Sequence, residues 1–143
     1  MLIRITDKEK LIALVLRKDF SRPGINFLTE DRSSLQVGTI SHPANYVIPA
    51  HDHQINARMI EDTQEVLVLR RGRVRVDFFT EARVYIESVV MDAGDILLLI
   101  SGGHGFKALE EIDMVEIKTG PYMETRDKTR FEADYPPELK IRD

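Results

Sequence analysis

Pro49-Ala50-His51-Asp52-His53 is answered, one loop later, by Gln64-Glu65-Val66-Leu67-Val68-Leu69-Arg70-Arg71-Gly72. In extended chain, side chains two residues apart fall on one face, so His51 and His53 are expected to project together from one strand. Glu65 opens a second run in which it shares a face with Leu67 and Leu69. A carboxylate leading an inward row of leucines is costly unless something positive sits against it. A divalent metal held by the two histidines meets that need. Three of the chain's four histidines, His51, His53 and His104, are assignable to this one site, and His42 beside Pro43 is read as a loop residue.

On both sides of this stretch the chain repeats at strand length. Ser34 to Ile40 is a candidate strand, and Tyr46 to His53 is the next. Residues 54–64 form a polar loop, and Val66 to Arg70 resumes the sheet. Arg73-Val74-Arg75-Val76-Asp77-Phe78 alternates as a half-buried strand should. Thr80-Glu81-Ala82-Arg83 turns the chain into Val84 to Met91, and Asp92-Ala93-Gly94-Asp95 turns it into the apolar Ile96 to Ile100. His104 to Leu109 and Ile112 to Lys118 finish the series. Near the start, Thr6 followed by Glu9 fits a capping box. Leu11 to Leu16, however, is apolar at every position and reads as a buried strand, and because Ser21-Arg22-Pro23-Gly24 turns the chain into Ile25-Asn26-Phe27-Leu28, two strands are favoured. Many short strands with a turn every eight to twelve residues predict an all-β sandwich or barrel.

Composition bounds the function. The 143 residues are the size of one domain, 43% hydrophobic and 31% charged. With 24 acidic against 20 basic side chains the net charge is -4, and no basic stripe stands out to release counterions, which argues against nucleic acid. Cysteine is absent, so disulfides and thiolate chemistry are excluded. No long apolar segment suggests a leader or a membrane span, so a soluble cytoplasmic protein without a membrane partner is expected.

These residues resemble the cupins. The first cupin motif is a His-x-His pair, then a glutamate, then six residues and a glycine; here His51 and His53 stand as required, and Glu65 is followed after six residues by Gly72. The second motif opens with Gly94-Asp95 and closes in a turn carrying a histidine, here Ile100-Ser101-Gly102-Gly103-His104-Gly105-Phe106. The likeness covers roughly residues 34–118. More narrowly, Thr63 through Tyr122 looks like a group of small bacterial single-domain cupins with no agreed activity. Three departures are visible: eleven residues separate His53 from Glu65 where the family has three or four, Ile100 replaces the usual proline, and His104 comes one residue early.

The resemblance implies a double-stranded β-helix, or jelly roll, with extra N-terminal strands and a polar C-terminal tail that packs over the barrel or against a partner. It implies His51, His53, Glu65 and His104 as the four metal ligands, with Glu61 a rival for the carboxylate. Such a donor set suits Mn, Fe, Co, Ni, Cu or Zn. Tyr46, Arg58 and Gln64 are candidates for a pocket rim, while Phe78, Phe79, Tyr85 and Phe106 are read as core. The inserted loop is expected to border the pocket mouth.

Two functions compete. One is a metal-dependent enzyme, an oxygenase or isomerase; the other is a module that binds a sugar or organic acid without chemistry. No second ionisable group stands out as a general base, so no catalytic residue is assigned. A homodimer is expected, because Leu11 to Leu16 needs cover on both faces.

Overall fold

A computed structural model describes residues 1–123 and 127–143. Eleven strands and no helix form among them: β1 (Leu2–Asp7), β2 (Lys10–Leu16), β3 (Gly24–Phe27), β4 (Gly38–Ser41), β5 (Glu65–Arg71), β6 (Arg73–Phe79), β7 (Tyr85–Asp92), β8 (Ile96–Leu99), β9 (Gly103–Ala108), β10 (Asp113–Lys118) and β11 (Ile141–Arg142). The all-β expectation is met, and among the described residues no helix is long and apolar enough to cross a membrane. Residues 1–20 and 62–143 form one compact unit, and residues 21–61 form a second.

The first unit holds two sheets. One has five strands in the order β1-β2-β8-β5-β10, and the other has four in the order β11-β7-β6-β9. Neither sheet closes on itself. A single core joins them, with Ile5, Ile12, Val15, Leu69 and Leu97 from one sheet and Val74, Val76, Phe78, Val89 and Met91 from the other. Burying one such side chain fully contributes about 1.5–3 kcal/mol, so this shared core holds the two sheets together.

The hydrophobic run of β2 finds its cover within the chain. β2 lies between β1 and β8, with Leu16 paired to Leu2 on one side and to Ile96 on the other, so it is an interior strand. Ile12 to Leu16 are buried on both faces within this chain, so the run supplies no ground for a dimer. Thr6 and Glu9 do not cap a helix: Thr6 lies in β1 and Glu9 in the β1–β2 turn, where Lys8 takes a positive φ of 54°.

Two turns fix the frame of the site. At Gly72 φ is 81°, and an added Cβ would come 2.1 Å from the Glu111 carbonyl oxygen, so only glycine allows this approach. In the β7–β8 turn the buried Asp95 carboxylate accepts from the backbone N–H of Lys18 at 2.8 Å and of Asp92 at 3.0 Å, and from Arg17 Nη1 at 2.9 Å. Gly94-Asp95 therefore acts as a structural lock tying residues 17–18 to this turn.

The C-terminal segment packs on the four-stranded sheet. β11 runs parallel to β7, pairing Ile141 with Ser88 and Arg142 with Val89, and Arg142 forms an ion pair with the buried Glu87. Of the two positions expected for the tail, this is cover of its own sheet.

The second unit is a two-stranded hairpin, β3 with β4, pairing Ile25 with Ile40 and Asn26 with Thr39, followed by irregular chain. Two expectations are corrected here. The strand expected over Ser34 to Ile40 is confined to Gly38–Ser41. Tyr46 to His53 is not a strand at all: Pro43 and Pro49 lack the N–H that a ladder requires, and Asn45 takes a positive φ of 69° between them.

Candidate functional site

Strand alternation brings charge to one end of the inner faces. On β5, Leu67 and Leu69 are buried in the core, and Glu65 continues their face at the strand's first residue. Across the edge, β10 places Met114 opposite Leu69, Glu116 opposite Leu67 and Lys118 opposite Glu65. Directly opposed residues share a face, so the inner surface of this sheet changes from apolar to charged along β10. In the other sheet, His104 on the edge strand β9 lies opposite the buried Phe78, and Phe106 lies opposite Val76.

The glycines around His104 serve the tail. Gly103 pairs with Phe79 and Gly105 with Asp77, which puts both on the opposite face from His104. There a Cβ on Gly103 would come 2.8 Å from the Phe131 ring, and one on Gly105 would lie 4.0 Å from the Tyr135 hydroxyl. The glycines thus make room for two aromatic rings of the C-terminal segment. The intervening histidine is left facing inward.

Glu65 and His104, from different sheets, meet there: His104 Nε2 lies 3.6 Å from Glu65 Oε2, which is too long for a hydrogen bond. Burial raises the Glu65 carboxyl above its ordinary range, and the neighbouring Glu116 charge adds to the rise, while Lys118 and Lys128 pull partly the other way. Burial also lowers the His104 imidazole, against the attraction of Glu116. Both groups are therefore biased toward their uncharged forms. Neutral imidazole is the form that ligates a metal, and a cation beside Glu65 would restore its ionised form.

The pair opens into a cleft of about 790 Å³ within the first unit. The cleft reaches around the edge of β9 to Phe79, Phe131 and Tyr135 on the other face of that strand, where Phe79 meets Phe131 edge-on with centroids 5.4 Å apart. Glu116, Arg83, Lys128 and Arg130 line it as well. Phe106, expected in the core, is instead 40% exposed and borders this cleft, because β9 is an edge strand with nothing paired beyond it.

The expected ligands appear as two pairs. His51 and His53 belong to the second unit, where their rings meet edge-on at 5.4 Å and His51 Nδ1 lies 2.9 Å from the Pro49 carbonyl oxygen. They come together through a loop and not through strand alternation. Among the described residues, no group of three or more His, Cys, Asp or Glu is gathered as a metal ion requires. His42 stacks on Tyr46 at 3.8 Å, in keeping with a loop role. Gln64 is buried and its amide donates to Asp62 at 2.6 Å, so it is a structural group and not a rim residue.

The sequence reading missed Glu116, Arg83, Lys128 and Arg130. Only Glu116 carried a signal: it sits at the inward phase of Met114-x-Glu116-x-Lys118, a charged continuation of an apolar face. Comparison with protein-family models, with curated proteins and with solved structures finds no match.

Proposed function

We propose that the protein is a small cupin-type domain, a jelly roll built on the five- and four-stranded sheets, that binds a small polar metabolite such as a sugar or organic acid in the cleft beside Glu65 and His104. The observation that carries this reading is the meeting of Glu65 and His104 across the two sheets, 3.6 Å apart, where the cupin motifs put a carboxylate and an imidazole. A divalent transition metal held beside Glu65 and His104 completes the proposal, and the variants named below test the two loop histidines as further donors. The donor chemistry fits: the imidazole is held neutral, and the carboxylate is desolvated beside a second one. When bound, such a metal supplies Lewis-acid activation of a chelating ligand. The chain's own residues orient that ligand, with Phe106 on the same face as His104 beside it. Thr63, two residues before β5, lines the cleft.

A second reading is a binding module without metal. It is favoured by Lys118 and Lys128, whose charges already act on Glu65. Metal analysis of protein purified without added metal or a histidine tag separates the two. About one metal per chain is expected, lost in both His51→Ala/His53→Ala and Glu65→Ala/His104→Ala variants that remain folded. Metal retained in both variants rejects the ligand assignment, and metal-free wild-type protein leaves the second reading.

A further inference from the structure

Resting on the cleft reading above, we infer that the ligand is a small organic anion whose carboxylate or phosphate group is held by Arg83 and Arg130. Some charges in the cleft are already partnered. Glu81 forms an ion pair with Lys10, and Asp127 accepts from Lys118 Nζ at 3.1 Å. Arg83, Lys128 and Arg130 differ: none has a carboxylate within ion-pair distance among the described residues, although all three line the cleft. Other arginines of this unit do have such partners. Arg17 bonds Asp95 at 2.9 Å, Arg71 bonds Glu111 at 2.7 Å, Arg73 bonds Asp92 at 2.8 Å and Arg75 bonds Asp77 at 2.8 Å. The cleft therefore holds two arginines, Arg83 and Arg130, without a carboxylate partner among the described residues.

Arg83 is also held in place. It ends a tight turn, donating its backbone N–H to the Thr80 carbonyl at 2.9 Å with φ at 64°. Its guanidinium carbon lies 5.2 Å from the centroid of the Phe131 ring. Stacking fixes the plane of a guanidinium while leaving its edge donors for a ligand. That fork matches the two oxygens of a carboxylate or phosphate. The aromatic rings on this side of β9 suit a short carbon skeleton, and about 790 Å³ is room for a metabolite. An extended polyanion is disfavoured, because Glu65 and Glu116 face the same cleft and the chain's net charge is -4.

The test is calorimetric titration of the full chain with succinate, citrate and inorganic phosphate, with succinamide as the uncharged counterpart and Arg70→Gln as a charge-matched control outside the cleft. At least one anion is expected to bind where succinamide does not, and the preference between succinate and phosphate assigns the group. Arg83→Gln and Arg130→Gln should each weaken that binding by about tenfold, the usual loss for a hydrogen bond to a charged group, while Arg70→Gln leaves it unchanged. No binding by any of the three anions, or equal losses in Arg70→Gln and the cleft variants, overturns the inference. Metal content measured on the same samples keeps the readings apart: metal without anion binding rejects this inference alone, and anion binding without metal rejects only the metal centre.

Discussion

The Tyr135 hydroxyl donates to Asp77 Oδ2 at 2.9 Å, linking the C-terminal segment to a carboxylate that is 2% exposed on β6. Asp77 also accepts from Arg75 Nε at 2.8 Å, from Arg75 Nη2 at 2.9 Å and from Ser88 Oγ at 2.6 Å. A buried carboxylate is tolerated only when its lone pairs are filled in this way. The same arrangement raises the Tyr135 phenol, through burial first and then through its hydrogen bond to Asp77.

Breaking this network should therefore be unequal. Asp77→Asn leaves Arg75 without its counter-charge and is expected to cost about 3–5 kcal/mol. Tyr135→Phe removes one donor of four and should cost about 1 kcal/mol. Urea denaturation of the two variants measures the difference, and equal losses would contradict the assignment.

Gly103→Ala should disturb the tail from the opposite face to His104. Its Cβ would arrive 2.8 Å from the Phe131 ring, so the ring must move, at an expected cost of about 1–3 kcal/mol. In a Phe131→Ala background the same substitution should cost much less. A double-mutant cycle reads the coupling, and additive losses would show that the two residues do not meet.

The pH dependence of the metal-free protein follows from two opposed shifts. Glu65 is raised above its ordinary 4.5, so above that pH the folded state holds more protons than the unfolded one, and stability falls as pH rises. His104 is lowered below its ordinary 6.5, so its contribution recovers as pH rises toward that value. Glu65→Gln removes the first effect. It should be more stable than wild type at neutral pH and lose that advantage toward pH 4.5. Urea midpoints across this window test it, and a variant that tracks wild type throughout would reject the burial of Glu65 as a cost.

For the homodimer expected from the sequence, the surface available is a different strand from Leu11–Leu16. β10 is an edge of the five-stranded sheet, and Val115 and Ile117 on its outward phase are exposed. Edge strands are normally paired or covered, and a second copy is the commonest cover. Light scattering should give twice the chain mass, and Ile117→Lys should return it to one chain. A single-chain mass for wild type at micromolar concentration rejects the dimer.

By itself the sequence determined the strand content of residues 65–118 closely. There, period-two alternation in Arg73–Phe79 and the turn residues at Gly72 and Gly94 are local signals that burial on one face enforces. It also singled out Glu65, because an inward charge on an apolar strand is costly and so is visible in the pattern, whereas His104 came from the likeness of its glycine-rich turn to the second cupin motif. It failed at Tyr46–His53, where proline and a positive φ outweigh the spacing of the histidines. Only tertiary structure decided that Leu11–Leu16 is an interior strand, since pairing partners are not encoded in the run itself. Only tertiary structure brought Glu116, Arg83 and Arg130 into the cleft with Glu65. Those residues lie far apart in the chain and share no period, so their meeting depends on strand register and on where the C-terminal segment packs.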